Sequence, residues 1–316
     1  MKRRTFLVGA SAVAAAVAAP WVVASIDRRR IDDVRILPVQ PRRAAVIFFS
    51  QTGHTRRVGR LIARHWERQG LEAVASDYRA FDLGTLRTFD LLVLGSPVNY
   101  YEAPGHFRTW IKSLPPLGGI PVAAFATFGG KGGNQFNAAA GLLQRMVDRG
   151  AVPVGIELFG NMSSFAPTWS LGNEERILAY SHLPDANTWT AVRKFADDLL
   201  GRVGSGTGIA VSGGWSPHEL IKGSISIEGT KFLIGAHGVD AAACVRCGSC
   251  FDVCPVGAID PATLTVDTAA CVACLGCVNN CPTGAMRMNF LGKPVYGFKE
   301  FLKRHSIVIA EPPELV

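Results

Sequence analysis

The sequence predicts an α/β fold: a doubly wound, five-stranded parallel sheet followed by a smaller, cysteine-rich unit. Three observations carry this. Five apolar runs of strand length alternate with helical patterns between residues 44 and 200. A Gly/Ser-rich stretch at 201–216 then interrupts the pattern. Beyond it lie all eight cysteines of the chain, in two copies of one spacing. With 316 residues, 48% of them apolar, there is material for two domains with a sizeable core.

The chain opens with Lys2-Arg3-Arg4-Thr5-Phe6-Leu7, twin arginines ahead of an apolar pair, and carries no further charge until Asp27. This resembles the core of a twin-arginine export signal. Small residues at Ala14–Ala16 and Ala16–Ala18 offer cleavage points, while Phe6–Ile26 is long enough to serve as an N-terminal anchor. Segment 1–26 is therefore read as a signal or an anchor, with cleavage slightly favoured. The net charge of +8 is concentrated here: residues 1–43 hold nine Lys/Arg against three Asp. No basic patch interleaved with aromatics exists elsewhere, which argues against a nucleic-acid partner.

Residues 44–49 (Ala-Ala-Val-Ile-Phe-Phe) form a continuous apolar run, as a parallel strand covered on both faces requires. A helix follows, with Val58, Leu61, Ile62 and Trp66 on one face and Gly70 at its end. Further strands are predicted at 72–76, 91–95, 121–126 and 152–158, and helices near 104–113, 137–149 and 188–200. This alternation specifies the doubly wound sheet, and the first domain is placed at 43–200.

The loop after the first strand, Ser50-Gln51-Thr52-Gly53-His54-Thr55, resembles the flavodoxin phosphate loop, Thr/Ser-x-Thr-Gly-x-Thr. Hydroxyls and backbone N–H groups at a helix start suit a phosphate, and Gly53 lets the backbone close around it. The resemblance implies FMN. It further implies that Pro97, Val98, Asn99 and Tyr100 line the flavin ring after the third strand, and that Thr127, Phe128, Gly129 and Gly130 approach it after the fourth. Tyr100 and Tyr101 are the candidates for stacking on the ring; packing of one beneath the next helix is the alternative. His54 occupies a variable slot and is expected to face solvent. Asn161–Ser164 with Phe165 and Trp169 follows the last strand, as part of the mouth or of the core.

Gly201–Gly208 and Ser212–Gly214 read as a flexible connector, within a linking segment at 201–237. The cysteines then run Cys244, Cys247, Cys250, Cys254-Pro255 and, 27 residues on, Cys271, Cys274, Cys277, Cys281-Pro282. Gly257-Ala258 recurs as Gly284-Ala285. Zinc prefers separated Cys-x-x-Cys pairs, and disulfides between such near neighbours would close tiny loops. The spacing resembles the bacterial ferredoxin run, whose fourth cysteine ligates the other cluster. The resemblance implies two [4Fe–4S] clusters. Cys244, Cys247, Cys250 and Cys281 would hold one, and Cys271, Cys274, Cys277 and Cys254 the second. A small α+β ferredoxin domain is placed at 238–290, with a C-terminal tail at 291–316.

A flavodoxin-like domain followed by a two-cluster ferredoxin domain resembles the flavodoxin–ferredoxin fusion proteins, over roughly residues 44–290. The expected function is electron transfer between FMN and the clusters, with redox proteins or a membrane- or quinone-linked complex as partners. No general acid or base is required, and neither a nucleophilic triad nor a dinucleotide fingerprint is present. Two rival readings remain open: an FMN-dependent reductase of a quinone or other small oxidant, and a flavin-free iron–sulfur subunit of a membrane complex. Clusters are assembled in the cytoplasm, so their host should be exported already folded. The expected location is the periplasm or the extracytoplasmic membrane face.

Overall fold

A computed structural model describes residues 30–99, 102–130, 135–212 and 227–315. Residues 1–29, which include the segment read as a signal or anchor, Tyr100, Tyr101, 131–134 and the heart of the connector, 213–226, lie outside the described residues. Among the described residues no helix is long and apolar enough to cross a membrane.

Five strands build the main sheet: β2 (Arg43–Phe48), β3 (Glu72–Asp77), β4 (Leu91–Pro97), β5 (Pro121–Gly129) and β6 (Val152–Asn161). Their order is β3-β2-β4-β5-β6, and every pairing is parallel. Successive side chains of a strand point to opposite faces, and β2 with the residue after it shows how both are filled. Ala45, Ile47 and Phe49 enter one core; Ala44, Val46 and Phe48 enter the other. Helices α1 (His54–Arg68), α2 (Gly105–Ser113) and α3 (Gln135–Val147) connect the strands. After β6 come two single-turn helices, α4 (Pro167–Ser170) and α5 (Glu175–Leu178), then the long α6 (Ala186–Ser205). Buried residues of α2 and α3 cover the first core, and those of α1 and α6 the second. The doubly wound five-stranded sheet is therefore as the sequence predicts.

The connector differs from its expectation. Residues 201–205 finish α6, which Gly206 ends in the left-handed conformation (φ 71°). Residues 207–212 form β7, antiparallel to β1 (Arg30–Arg35). At Gly208 glycine reflects close packing: a side chain there would meet the Pro153 carbonyl at 2.9 Å.

The second unit opens with α7 (Ile227–Leu233) and β8 (Ile234–Val239). The first cysteine repeat carries α8 (Ser249–Asp252), and β9 (Ile259–Asp260) pairs with β10 (Thr265–Val266). The second repeat carries α9 (Gly276–Asn280). Strands β11 (Met286–Phe290) and β12 (Lys293–Val295) complete a sheet of order β12-β11-β8. The chain beyond 290 is integral: α10 (Phe298–Arg304) buries Phe298 and Phe301. These pack in one core with Met162, Trp169 and Ile177 of the first unit and Leu275, Val278 and Met288 of the second. Trp169 Nε1 donates to the Tyr296 carbonyl at 2.9 Å, and Tyr296 Oη to Glu174 at 2.6 Å.

Candidate functional site

Parallel pairing brings the carboxyl ends of β2, β4, β5 and β6 to one edge, where open α/β sheets hold ligands. There the 50–55 loop enters α1 through Gly53, whose φ of 93° any other residue would adopt only with strain. No side chain caps α1, so its first-turn N–H groups are left for a ligand. Several polar atoms at this spot are buried without a partner: Ser50 Oγ, both ring nitrogens of His54, and Arg57 Nη1. A Cβ at Gly53 would lie 2.8 Å from that same Nη1, so the guanidinium lies over the loop. Orphaned donors around an uncapped helix start fit a phosphate.

The other predicted flavin contacts converge on this edge. Thr55 and Thr127 share a buried hydroxyl hydrogen bond of 2.8 Å, and Thr52 Oγ1 donates to Ser164 Oγ at 3.2 Å. Pro97 ends β4, and Val98 N donates to the Thr127 carbonyl at 3.3 Å. Asn99 and Glu102 exchange backbone hydrogen bonds of 2.8 and 3.0 Å. A Cβ at Gly129 would collide with the Ser163 backbone, so Phe128–Gly130 can lie against that loop only with glycine there. Gly130 (φ 82°) turns the chain away from β5.

His54 departs from its expectation. It is only 6% exposed and stands edge-on to Phe298 at 5.7 Å, because α10 covers the loop. Burial, reinforced by the Arg57 charge, pushes its pKa down to about 3. Composition around residue 54 gave no sign of this, since its cover comes from beyond residue 290. Arg57 was equally invisible as a site residue: its Nε donates to Glu311 Oε1 at 2.7 Å, across more than 250 residues of sequence.

The two cysteine repeats fold alike. Arg246 and Ala273 hold φ near 50°, Gly248 and Leu275 follow at 75° and 66°, and Gly257 and Gly284 at 63° and 68°. Non-glycine residues in this region are costly, and their recurrence 27 residues apart turns backbone N–H groups inward. Arg246 N donates to Cys244 Sγ and Ala273 N to Cys271 Sγ, each at 3.4 Å. Ala258 N donates to Cys254 Sγ at 3.2 Å and Met286 N to Cys281 Sγ at 3.4 Å. Such donors stabilise thiolates.

All eight cysteines are free. Burial raises the Cys250 thiol, with Cys281 and Cys244 beside it adding to the effect. Cys274, its sulfur turned inward, is pushed up to about 11, first by burial and then by Cys271 and Cys254. Cys277 is raised well above its usual value by burial and by Cys274, Cys271 and Cys254. Thiols gathered in dry loops resist ionising alone and are suited to a cationic iron–sulfur core. Among the described residues no His, Cys, Asp or Glu group closes on a single metal ion.

Residues 46–157 match the flavodoxin family model, and residues 237–260 and 264–287 each match the 4Fe-4S binding domain. The chain joins a flavodoxin domain to a two-repeat 4Fe-4S domain. Its cofactors are accordingly FMN and two [4Fe–4S] clusters. No curated protein matches the chain. Among solved structures it is similar to oxidised Flavodoxin 2 from Bacillus cereus, at 20% identity and a TM-score of 0.40, over 51% of this chain and 99% of that one. A flavodoxin from the domain Archaea matches at 17% and 0.38, over 51% and 98%. The Flv1 flavodiiron core from Synechocystis matches at 16% and 0.36, over 53% and 37%.

Proposed function

We propose that this is an exported electron-transfer protein that passes electrons between FMN and its two clusters, serving redox proteins or a quinone-linked complex at the extracytoplasmic membrane face. The observation that carries it is the seating of the cysteine loops on the carboxyl edge of the sheet. Arg79, just past β3, donates to the Asp252 carbonyl at 2.9 Å, and Asn279 Nδ2 to the Ser164 carbonyl at 3.0 Å. Flavin-side and cluster-side loops are thus one surface.

Flavin chemistry supplies one- or two-electron steps, and each cluster one. The chain's part is to bind, orient and shield. Ser50, Thr52, Gly53 and Thr55 with the start of α1 hold the phosphate, under Arg57. Val98, Asn99 and Thr127–Gly130 frame the ring. The sulfur neighbourhoods support the crossed ligand sets, with Cys281 joining Cys244, Cys247 and Cys250, and Cys254 joining Cys271, Cys274 and Cys277. Trp169, Phe298 and Phe301 keep water from the join. The arginine pair and apolar leader support export of the folded protein.

Purified protein should contain one FMN with about eight iron and eight sulfide per chain, as two four-iron clusters require. Full iron without flavin, in protein offered excess FMN, would replace this reading with that of a flavin-free cluster subunit. Rapid steady-state turnover of soluble quinones would make it a reductase instead.

A further inference from the structure

Residue 51 is a free slot in the phosphate-loop pattern, since the phosphate needs its backbone and not its side chain. Here it carries Gln51, which reaches into the second cysteine repeat. Its Nε2 donates to the Cys274 carbonyl, and its own carbonyl accepts from Asn280 Nδ2 at 3.0 Å. The same Asn280 amide donates to the Gly276 carbonyl at 2.9 Å. A Cβ at Gly276 would lie 3.2 Å from Gln51 Cγ, so the two loops are in direct contact. One residue on, Thr52 reaches Ser164, which in turn is held by Asn279.

A second tether leads to the same ligand set. Arg79 holds Asp252, two residues before Cys254, while Asp77 fixes the guanidinium at 2.8 Å. Both links from the flavodoxin side therefore reach the set of Cys254, Cys271, Cys274 and Cys277, at Cys274 itself and two residues from Cys254, while Asp252 lies as near in sequence to Cys250 and Asn280 adjoins Cys281. Cys247 of the other set is exposed.

We propose that Gln51 is a positioning residue shared by the two cofactor sites, locking the phosphate loop to the Cys271–Cys277 loop so that FMN binding and loading of the adjacent cluster reinforce each other. This rests on the FMN and cluster assignments above. Phosphate binding needs the 50–55 backbone in one conformation, and Gln51 is pinned through both main chain and side chain. Its anchors, the Cys274 carbonyl and Asn280, flank Cys277 in the second repeat, so iron that ties Cys271, Cys274 and Cys277 together would fix their positions. Coupling between sites is reciprocal and commonly amounts to about 5- to 150-fold in affinity.

The test is FMN titration of the full-length chain in variants that each lose one cluster. Cys254→Ala, lacking the adjacent cluster, should bind FMN about 5- to 150-fold more weakly than the parent; Cys244→Ala, lacking the other, should bind like the parent. Gln51→Glu keeps the length but removes the donor, and adding Cys254→Ala to it should cause little further loss. Asn280→Ala, which works from the opposite side, should behave the same way. In the parent, FMN should alter the EPR signal of the cluster that Cys254→Ala removes. Equal FMN affinity in Cys254→Ala and the parent would overturn the proposal, as would a full Cys254→Ala loss persisting in Gln51→Glu. Absence of FMN binding by the iron-replete parent would overturn the flavin assignment itself, and this inference with it.

Discussion

His54 shows what a single residue gains from its fold. It is buried and neutral, facing Phe298 and the Arg57 guanidinium, with a pKa of about 3. An unfolded chain takes up a proton near pH 6.5 that the folded one refuses. Stability from this group is complete above pH 6.5 and is lost as pH falls toward 3. His106, lowered to about 4 by burial and by Arg79, acts in the same direction. In flavin-free protein, His54→Leu should remove about 2 kcal/mol of the stability lost between pH 6.5 and 5, as read from urea midpoints; an unchanged pH slope would place the ring in water. The hydroxyl-rich loop at 50–55 was legible because a phosphate site, as proposed here, dictates local residue types. Thr52→Ala with Thr55→Ala should weaken FMN by about two to four orders of magnitude, since hydrogen bonds to charged groups are worth roughly 1.5–3 kcal/mol each. Fluorescence titration checks this. The burial of His54 and the reach of Arg57 to Glu311 were not legible, because both depend on contacts with the far end of the chain.

At the scale of elements, apolar periodicity located all five sheet strands and their helices, for burial on both faces leaves few other patterns. It failed at 201–212, where glycines suggested slack. Helix α6 is secured at its start by a capping box between Asp185 and Thr188 and runs into that glycine stretch; β7 then finds its partner in β1, more than 170 residues earlier. Long-range pairing of this kind leaves no local signature. The tail beyond 290 was missed similarly, since α10 is short and gains its place by inserting Phe298 and Phe301 into a core made elsewhere. Gly129 at the end of β5 offers a test at this scale. Gly129→Ala would press on the Ser163 backbone and displace the loop whose Ser164 supports Thr52. Overpacking of this kind typically costs about 1–3 kcal/mol, so thermal stability should drop together with FMN affinity. A variant that keeps both would show that the 162–164 loop yields freely.

At the scale of the whole molecule, the sequence divides into a flavodoxin part and a ferredoxin part, but packing unites them. Trp169, Leu275, Val278, Phe298 and Phe301 belong to one apolar cluster. The motifs revealed the parts because each is a local run of characteristic residue types, whereas the join is made of ordinary apolar side chains. The proposed leader belongs to this scale too, since under the export proposal a folded, iron-loaded chain needs a route that accepts it. Arg3→Lys with Arg4→Lys should hold the protein in the cytoplasm with its iron intact, as fractionation and metal analysis would show; undiminished export would remove the twin-arginine reading.

The shared core has a kinetic corollary. Domains on a loose tether must diffuse into register before an electron can cross, so their exchange slows as the medium thickens. Here Trp169 and Phe301, with ring centroids 4.5 Å apart, hold the halves in register before any encounter. Under the proposed electron-transfer role, the internal step should then be unaffected by glycerol or sucrose, while delivery to a separate acceptor slows with viscosity. Flash reduction followed in increasing sucrose would separate the two, and an internal rate that falls with viscosity would mean that the halves part and rejoin in solution.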